Sequence, residues 1–188
     1  RIKGISSTDY AANFNDFLEQ RPDDKPFCFW LGGHEPHRVF EKGVGLKQGK
    51  KLADVEVPGF LPDTPEIRSD ILDYYVEIEW FDSHLAKALK QLEELGELDN
   101  TLVIVTSDNG MAFPRAKANC YEFGVHVPLA IMWPNRVKGG RDVVDPVGFV
   151  DLTATILEAG GVEHPALGQT ALAPVGQSLV SLLESGKS

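Results

Sequence analysis

The sequence predicts an α/β fold: a largely parallel (mixed) central sheet with helices on both faces. Three observations carry that expectation. Apolar runs at 27–31 (FCFWL), 101–107 (TLVIVTS) and 127–133 (VPLAIMW) do not alternate with polar residues, the pattern of strands covered on both faces. Segments with the helical spacing of apolar residues lie between them. The composition, 43% hydrophobic and 24% charged over 188 residues, supports a packed core and argues against disorder. Residues 1–188 are therefore taken as a single α/β region.

The elements follow in order. Residues 9–20 (DYAANFNDFLEQ) form an amphipathic helix with Tyr10, Phe14, Phe17 and Leu18 on one side. FCFWL, bounded by Pro26 and Gly32-Gly33, is read as a buried strand with Cys28 inside it. Residues 34–63 are rich in Gly, Pro and Lys and have no period, which predicts a long surface loop of the kind that is often functional. Thr64-Pro65-Glu66 opens a helix, with Thr64 as N-cap and proline at the first helical position. Its apolar stripe is Ile71, Tyr75, Ile78, Leu85, Leu89 and Leu92, and Gly96 ends it. Asp82 falls on that stripe and is read as a helix acid bonded to a neighbouring loop. Strand 101–107 comes next, then a loop through Ala112–Phe123, then strand 127–133, closed by Pro134. A short edge strand at 143–147, a helix at 151–159 stopped by Gly160-Gly161, and a weak helix at 178–183 complete the chain.

Eighteen basic against 28 acidic side chains give a net charge of −10. Nucleic acid is thereby disfavoured as a partner, because phosphate binding needs basic patches. A small anionic substrate stays open, since the local charge of a site can oppose the net charge. Cys28 and Cys120 match no metal or redox spacing. A buried free thiol is the reading for Cys28, with a disulfide between the two left open. No apolar stretch is long enough to span a membrane. The first residue is Arg1, so the natural start is expected upstream and a signal peptide is undecided.

In folds of this class ligands gather beyond the carboxyl ends of the strands. Two places qualify. After strand 101–107 come Asp108, Asn109 and Gly110, a tripeptide that commonly makes a hairpin turn. The hairpin needs alternating strands on both sides, and neither LVIV nor MAFPRAKAN alternates. A carboxylate beside an amide oxygen at a strand end suits instead a hard divalent cation, calcium or magnesium, with further ligands from elsewhere. The other place is GGHEPHR (32–38), where His34, His37 and Arg38 can donate hydrogen bonds to an anion. Lys117 adds a cationic donor on the loop beyond Asp108. Metal ligands, histidine and lysine together are equipment for cleaving an anionic ester whose charge must be neutralised.

TLVIVTSDNG, FPRAKAN, GVHVPL and GGHEPHR, with VPGFLPDTPEIRSD between them, resemble the catalytic domain of sulfatases, in the alkaline-phosphatase-like group of metal-dependent hydrolases. The likeness runs from about Lys25 to about Leu157 and is strongest to the heparan N-sulfatase (N-sulfoglucosamine sulfohydrolase) branch. It implies an incomplete alkaline-phosphatase-like fold, the middle to C-terminal part of a catalytic domain. It implies Asp108 and Asn109 as calcium ligands (magnesium as the alternative), with Lys117 and His34 as catalytic contacts to sulfate. His37 and Arg38 are implied as substrate contacts. His126 stands where the family usually has arginine and is read as structural. Sulfatases use a formylglycine made from a C/S-x-P-S-R motif, and neither Cys28 nor Cys120 lies in one. That motif and two further metal-binding aspartates are expected in a missing N-terminal part, so these 188 residues alone are expected to be inactive.

The implied activity is hydrolysis of sulfate esters or sulfamates, with a sulfated carbohydrate or other small sulfate ester as partner. Family members are expected in periplasmic, extracellular or lysosomal compartments. Two alternatives stay open: a phosphodiesterase or phosphonate hydrolase of the same superfamily, and a non-catalytic truncated module.

Overall fold

The computed structural model describes residues 2–22, 25–163 and 176–185. Its helices are α1 (Tyr10–Gln20), α2 (Val44–Lys47), α3 (Pro65–Glu94), α4 (Glu122–Val125), α5 (Phe149–Ala159) and α6 (Val180–Glu184). Strands β1 (Val103–Thr106) and β2 (Leu129–Met132) pair in a two-stranded sheet. Residue contacts group the chain into two compact units. One is Arg1–Gly96 with Thr106–Leu129, and the other is Glu97–Val105 with Ala130–Ser188.

In the first unit, α1 starts where expected because the Asp9 carboxylate accepts the Ala12 N–H at 3.0 Å. Tyr10, Ala11, Phe14 and Leu18 form its buried face. Thr64 caps α3 and Pro65 occupies its first turn, as the sequence predicts. Beyond its end, Gly96 takes the left-handed conformation at φ 71°.

The buried face of α3 is rotated from the expected stripe. Ile71 and Leu92 are buried, but Ile78 is exposed, and the face is completed by Leu72, Asp73, Val76, Glu77, His84 and Ala88. Apolar spacing misses this face because three of its members are polar. Asp73 belongs inside because its carboxylate accepts the N–H groups of Gly43 and Gly45 at 2.7 and 2.8 Å, at the start of α2. Asp82 is exposed and makes no hydrogen bond to a loop among the described residues.

The expected strand at 27–31 is an extended segment without a ladder, and Cys28 in it is exposed rather than buried. Only one side of it is covered. Phe29 packs on Phe14 and Phe17 of α1 at ring-centroid distances of 4.8 and 4.9 Å, while Trp30 points outward at 89% exposure. A short apolar run cannot by itself separate a doubly covered strand from a singly covered extended segment. Cys28 and Cys120 are both free and exposed, which closes the disulfide alternative.

The segment 34–63 is more ordered than a surface loop. It contains α2 and a 3-10 turn at Leu52–Asp54. Arg68 on α3 pins it, donating to the Leu52 and Val55 carbonyls at 2.8 Å each while its other edge pairs with Asp63. Phe40, Val55, Ile71, Leu72 and Phe113 close into one buried cluster. Full burial of each such side chain is worth about 1.5–3 kcal/mol. The cluster joins this segment, α3 and the stretch after β1.

In the second unit, the turn at Leu98–Asn100 leads into β1, and the Asp99 carbonyl accepts the Asn135 N–H at 2.9 Å just beyond β2. Asp151 in the first turn of α5 accepts from the N–H groups of Gln177 and Gly148 at 2.8 and 2.7 Å. Those two bonds hold its carboxyl below the usual range. Buried Thr155 donates to the Asp151 carbonyl and accepts the Leu179 N–H at 2.8 Å, stitching α5 to the start of α6. The expected edge strand at 143–147 does not form, and Val144 there is 83% exposed.

Candidate functional site

All six candidate residues lie in the first unit. Asp108 and Asn109 follow the end of β1, where Thr106 Oγ1 donates to the Pro128 carbonyl at 2.9 Å and ties the two strand ends together. The turn is built by side-chain bonds to its own backbone. Ser107 Oγ donates to the Asn109 carbonyl at 2.9 Å, and Asn109 Nδ2 donates to the Gly110 carbonyl at 3.3 Å. The exposed Asp108 carboxylate and Asn109 Oδ1 are left without a hydrogen-bond partner among the described residues.

No hairpin forms here. The Gly110 N–H reaches across the loop to the Gly124 carbonyl at 3.1 Å. A Cβ on Gly110 would collide with the Phe123 carbonyl oxygen, so only glycine permits that closure. The loop is then wound by short turns around buried Phe113 and Ala116. Lys117 sits half-buried on it, its N–H donating to the Met111 carbonyl at 3.1 Å. Arg115 and Ala118, on either side, take left-handed φ values of 64° and 62°. Each costs about 1–2 kcal/mol that the buried loop core must offset. No described group pairs with the Lys117 ammonium.

His34, His37 and Arg38 lie on the segment that leads into Phe40. The His34 and His37 rings stand 5.1 Å apart, tilted by 31°, and both are exposed. His37 Nδ1 contacts the Arg38 carbonyl at 2.5 Å. Arg38 is engaged by four groups. It donates to Asp70 of α3 at 3.1 and 2.7 Å, and its Nε reaches the Ala112 carbonyl at 2.9 Å. Its guanidinium also stacks over Phe40 and Phe113, 4.6 and 4.7 Å from their centroids.

Arg38 thus brings the histidine segment against the loop that follows Asp108. No hydrogen bond, ion pair or ring contact joins His34 or His37 to Asp108, Asn109 or Lys117 among the described residues. His126 is exposed and among the described residues pairs only with Glu122, one turn earlier on α4, at 2.6 Å.

The bare oxygens of the Asp108 carboxylate and Asn109 Oδ1 have the right chemistry for calcium or magnesium. Calcium takes six to eight oxygens, and no cluster of three or more His, Cys, Asp or Glu suited to a metal occurs among the described residues. The pair fits as part of a ligand set.

Sequence reasoning missed Asp70, which aims Arg38, buried Glu35 within the His34 segment, and Tyr10, which bonds both Glu35 and the His34 backbone. Asp70 stands in the quoted stretch EIRSD, one helical turn before Asp73, but nothing in its spacing marks it as facing Arg38.

The sequence model of the family described as Sulfatase matches residues 1–162. Human N-sulphoglucosamine sulphohydrolase is 32% identical, over 88% of this chain and 38% of that protein. A solved structure from the glycosaminoglycan-metabolism locus of Bacteroides thetaiotaomicron superposes with a TM-score of 0.72 at 20% identity, over 95% of this chain and 38% of that one. This likeness speaks to the fold. A phosphonate monoester hydrolase from Silicibacter pomeroyi superposes with a TM-score of 0.56 at 30% identity, over 77% of this chain and 28% of that one. The chain spans less than half the length of each of these relatives. With its α/β architecture shared and most of its length matched, this chain belongs to the sulfatase family.

Proposed function

We propose that this chain is the part of a sulfatase that holds the metal and the sulfate group, in an enzyme hydrolysing sulfate esters or sulfamates of sulfated sugars. The observation that carries the reading is the bare Asp108 carboxylate beside Asn109 Oδ1, held at a strand end by a closure that only Gly110 allows. The human relative named above, a sulphohydrolase of N-sulphoglucosamine, supports the choice of substrate class.

Asp108 and Asn109 would hold calcium, with magnesium as the alternative. When bound, the cation draws charge from the sulfate oxygens and orients the sulfur for attack. Lys117 neutralises a second sulfate oxygen. His34 gives a proton to the departing sugar oxygen, or to nitrogen in a sulfamate, as the bond to sulfur breaks. His37 and Arg38 line the approach, Arg38 mainly by fixing the segment on which both histidines stand. No C/S-x-P-S-R motif occurs in these 188 residues, so the formylglycine nucleophile of the family belongs outside them.

The test is release of inorganic sulfate by the full-length protein from N-sulfated and O-sulfated glucosamine, beside phosphonate monoesters. Sulfate release that calcium chelation abolishes is the expected result. The likeness to the phosphonate monoester hydrolase favours one second reading, that the substrate is a phosphonate ester. Turnover of phosphonates without release of sulfate would establish it instead.

A further inference from the structure

Between the two candidate histidines stands Glu35, a buried acid at 6% exposure. One oxygen of its carboxylate accepts the Ser6 N–H at 2.5 Å, and the other accepts the Tyr10 hydroxyl at 2.8 Å. Because Tyr10 spends its only proton on Glu35, its oxygen is free to accept, and it takes the His34 backbone N–H at 3.0 Å. Tyr10 itself is buried and wedged edge-on against Phe81 and His84 of α3, with centroids 6.0 and 5.4 Å away. In the relay Glu35–Tyr10–His34, one hydroxyl on α1 thus holds both the Glu35 carboxylate and the backbone of the exposed histidine beside it.

We propose that Tyr10 is a positioning residue for His34: its hydroxyl, aimed by Glu35, anchors the His34 backbone and so sets where the imidazole meets the substrate. This rests on the reading of His34 as the proton donor. A second observation marks the relay as more than packing. Glu77 of α3 is fully buried, neither of its oxygens has a hydrogen-bond partner among the described residues, and it feels the charge of Glu35. Burial first, and Glu35 second, push its carboxyl up to about 7.

No hydrogen bond or ion pair to the Glu77 carboxyl occurs among the described residues. Gly4 approaches it from the N-terminal segment, with Glu35, which Tyr10 of α1 hydrogen-bonds, from the His34 segment. On α3 itself, Asp73 is committed to Gly43 and Gly45, Trp80 Nε1 is unpartnered, and His84 turns Nδ1 to the Asp9 carboxylate at 3.3 Å while its Nε2 is unpartnered, among the described residues. Once Glu77 loses its proton, its buried carboxylate repels that of Glu35, the group that aims Tyr10. The anchor on His34 is then loosened above neutral pH.

The test uses the full-length enzyme and its Tyr10→Phe and Glu77→Gln variants. Tyr10→Phe keeps the ring and is expected to lower kcat about 10- to 100-fold with KM nearly unchanged, the size of a misplaced proton donor. Its His34 amide, followed by NMR, is expected to lose the shift and the exchange protection of a hydrogen-bonded N–H. Glu77→Gln is expected to remove the loss of His34 protection that wild type shows as pH rises past 7. An unchanged kcat together with an unchanged His34 amide in Tyr10→Phe would overturn the proposal. Should Tyr10→Phe not fold, the wild-type pair decides: a His34 amide that exchanges freely at pH 6 sinks the relay. A wild-type enzyme that hydrolyses no sulfate ester or sulfamate overturns the functional reading instead, and the amide measurements still decide the anchor.

Discussion

Arg38 and Asp70 face each other through two parallel hydrogen bonds, at 3.1 and 2.7 Å, with the guanidinium carbon 4.6 and 4.7 Å from the ring centroids of Phe40 and Phe113. Both side chains are about a third exposed, 39% and 34%, so the ion pair alone contributes little. The planar stacking and the bond to the Ala112 carbonyl add to it.

Arg38→Lys keeps the charge and loses the fork and the stack. It is expected to cost about 1–2 kcal/mol of stability, against under about 1 for Asp70→Asn. Denaturant unfolding of both variants and the double mutant reads the coupling. Equal losses in the two single variants would mean that stacking contributes nothing.

Glu77 makes stability depend on pH with a defined sign. Its folded value of about 7 lies above its ordinary 4.5, so the folded state holds more protons between those values. Stability therefore falls as pH rises from about 4.5 to 7, by on the order of 3 kcal/mol, and the term is constant above that window. Glu77→Gln is expected to flatten this slope, as measured by thermal melts from pH 4 to 8.

Asp108→Asn is expected to leave stability without calcium within about 0.5 kcal/mol, because the carboxylate is exposed and unpaired. In the full-length enzyme it is expected to weaken calcium binding at least about tenfold, measured by calorimetry and by the calcium dependence of sulfate release. A wild-type calcium affinity would remove Asp108 from the ligand set.

Gly110→Ala drives a methyl group into the Phe123 carbonyl. The expected outcome is a loss of about 1–3 kcal/mol, with proteolytic cleavage appearing first between residues 110 and 124. Mass mapping of the first fragments checks it.

The elements that read well from sequence are those whose cause is local. Asp9 and Thr64 cap their helices and Pro65 sits in the first turn. The apolar run ending at Thr106 carries Asp108 and Asn109 wherever the rest of the chain goes. Those signals act within a few residues, and so did the motif likeness that placed the chain among sulfatases. Tertiary structure alone decided the rest. FCFWL lacks a ladder because a strand needs neighbours that its own residues do not specify, and packing on α1 covers one side only. The polar face of α3 became core because Asp73 found two backbone N–H groups about thirty residues away. Arg38 found Asp70, and Tyr10 found Glu35 and His34, across separations of 24 to 32 residues. Which buried polar groups meet depends on how helices pack, and no local spacing encodes that.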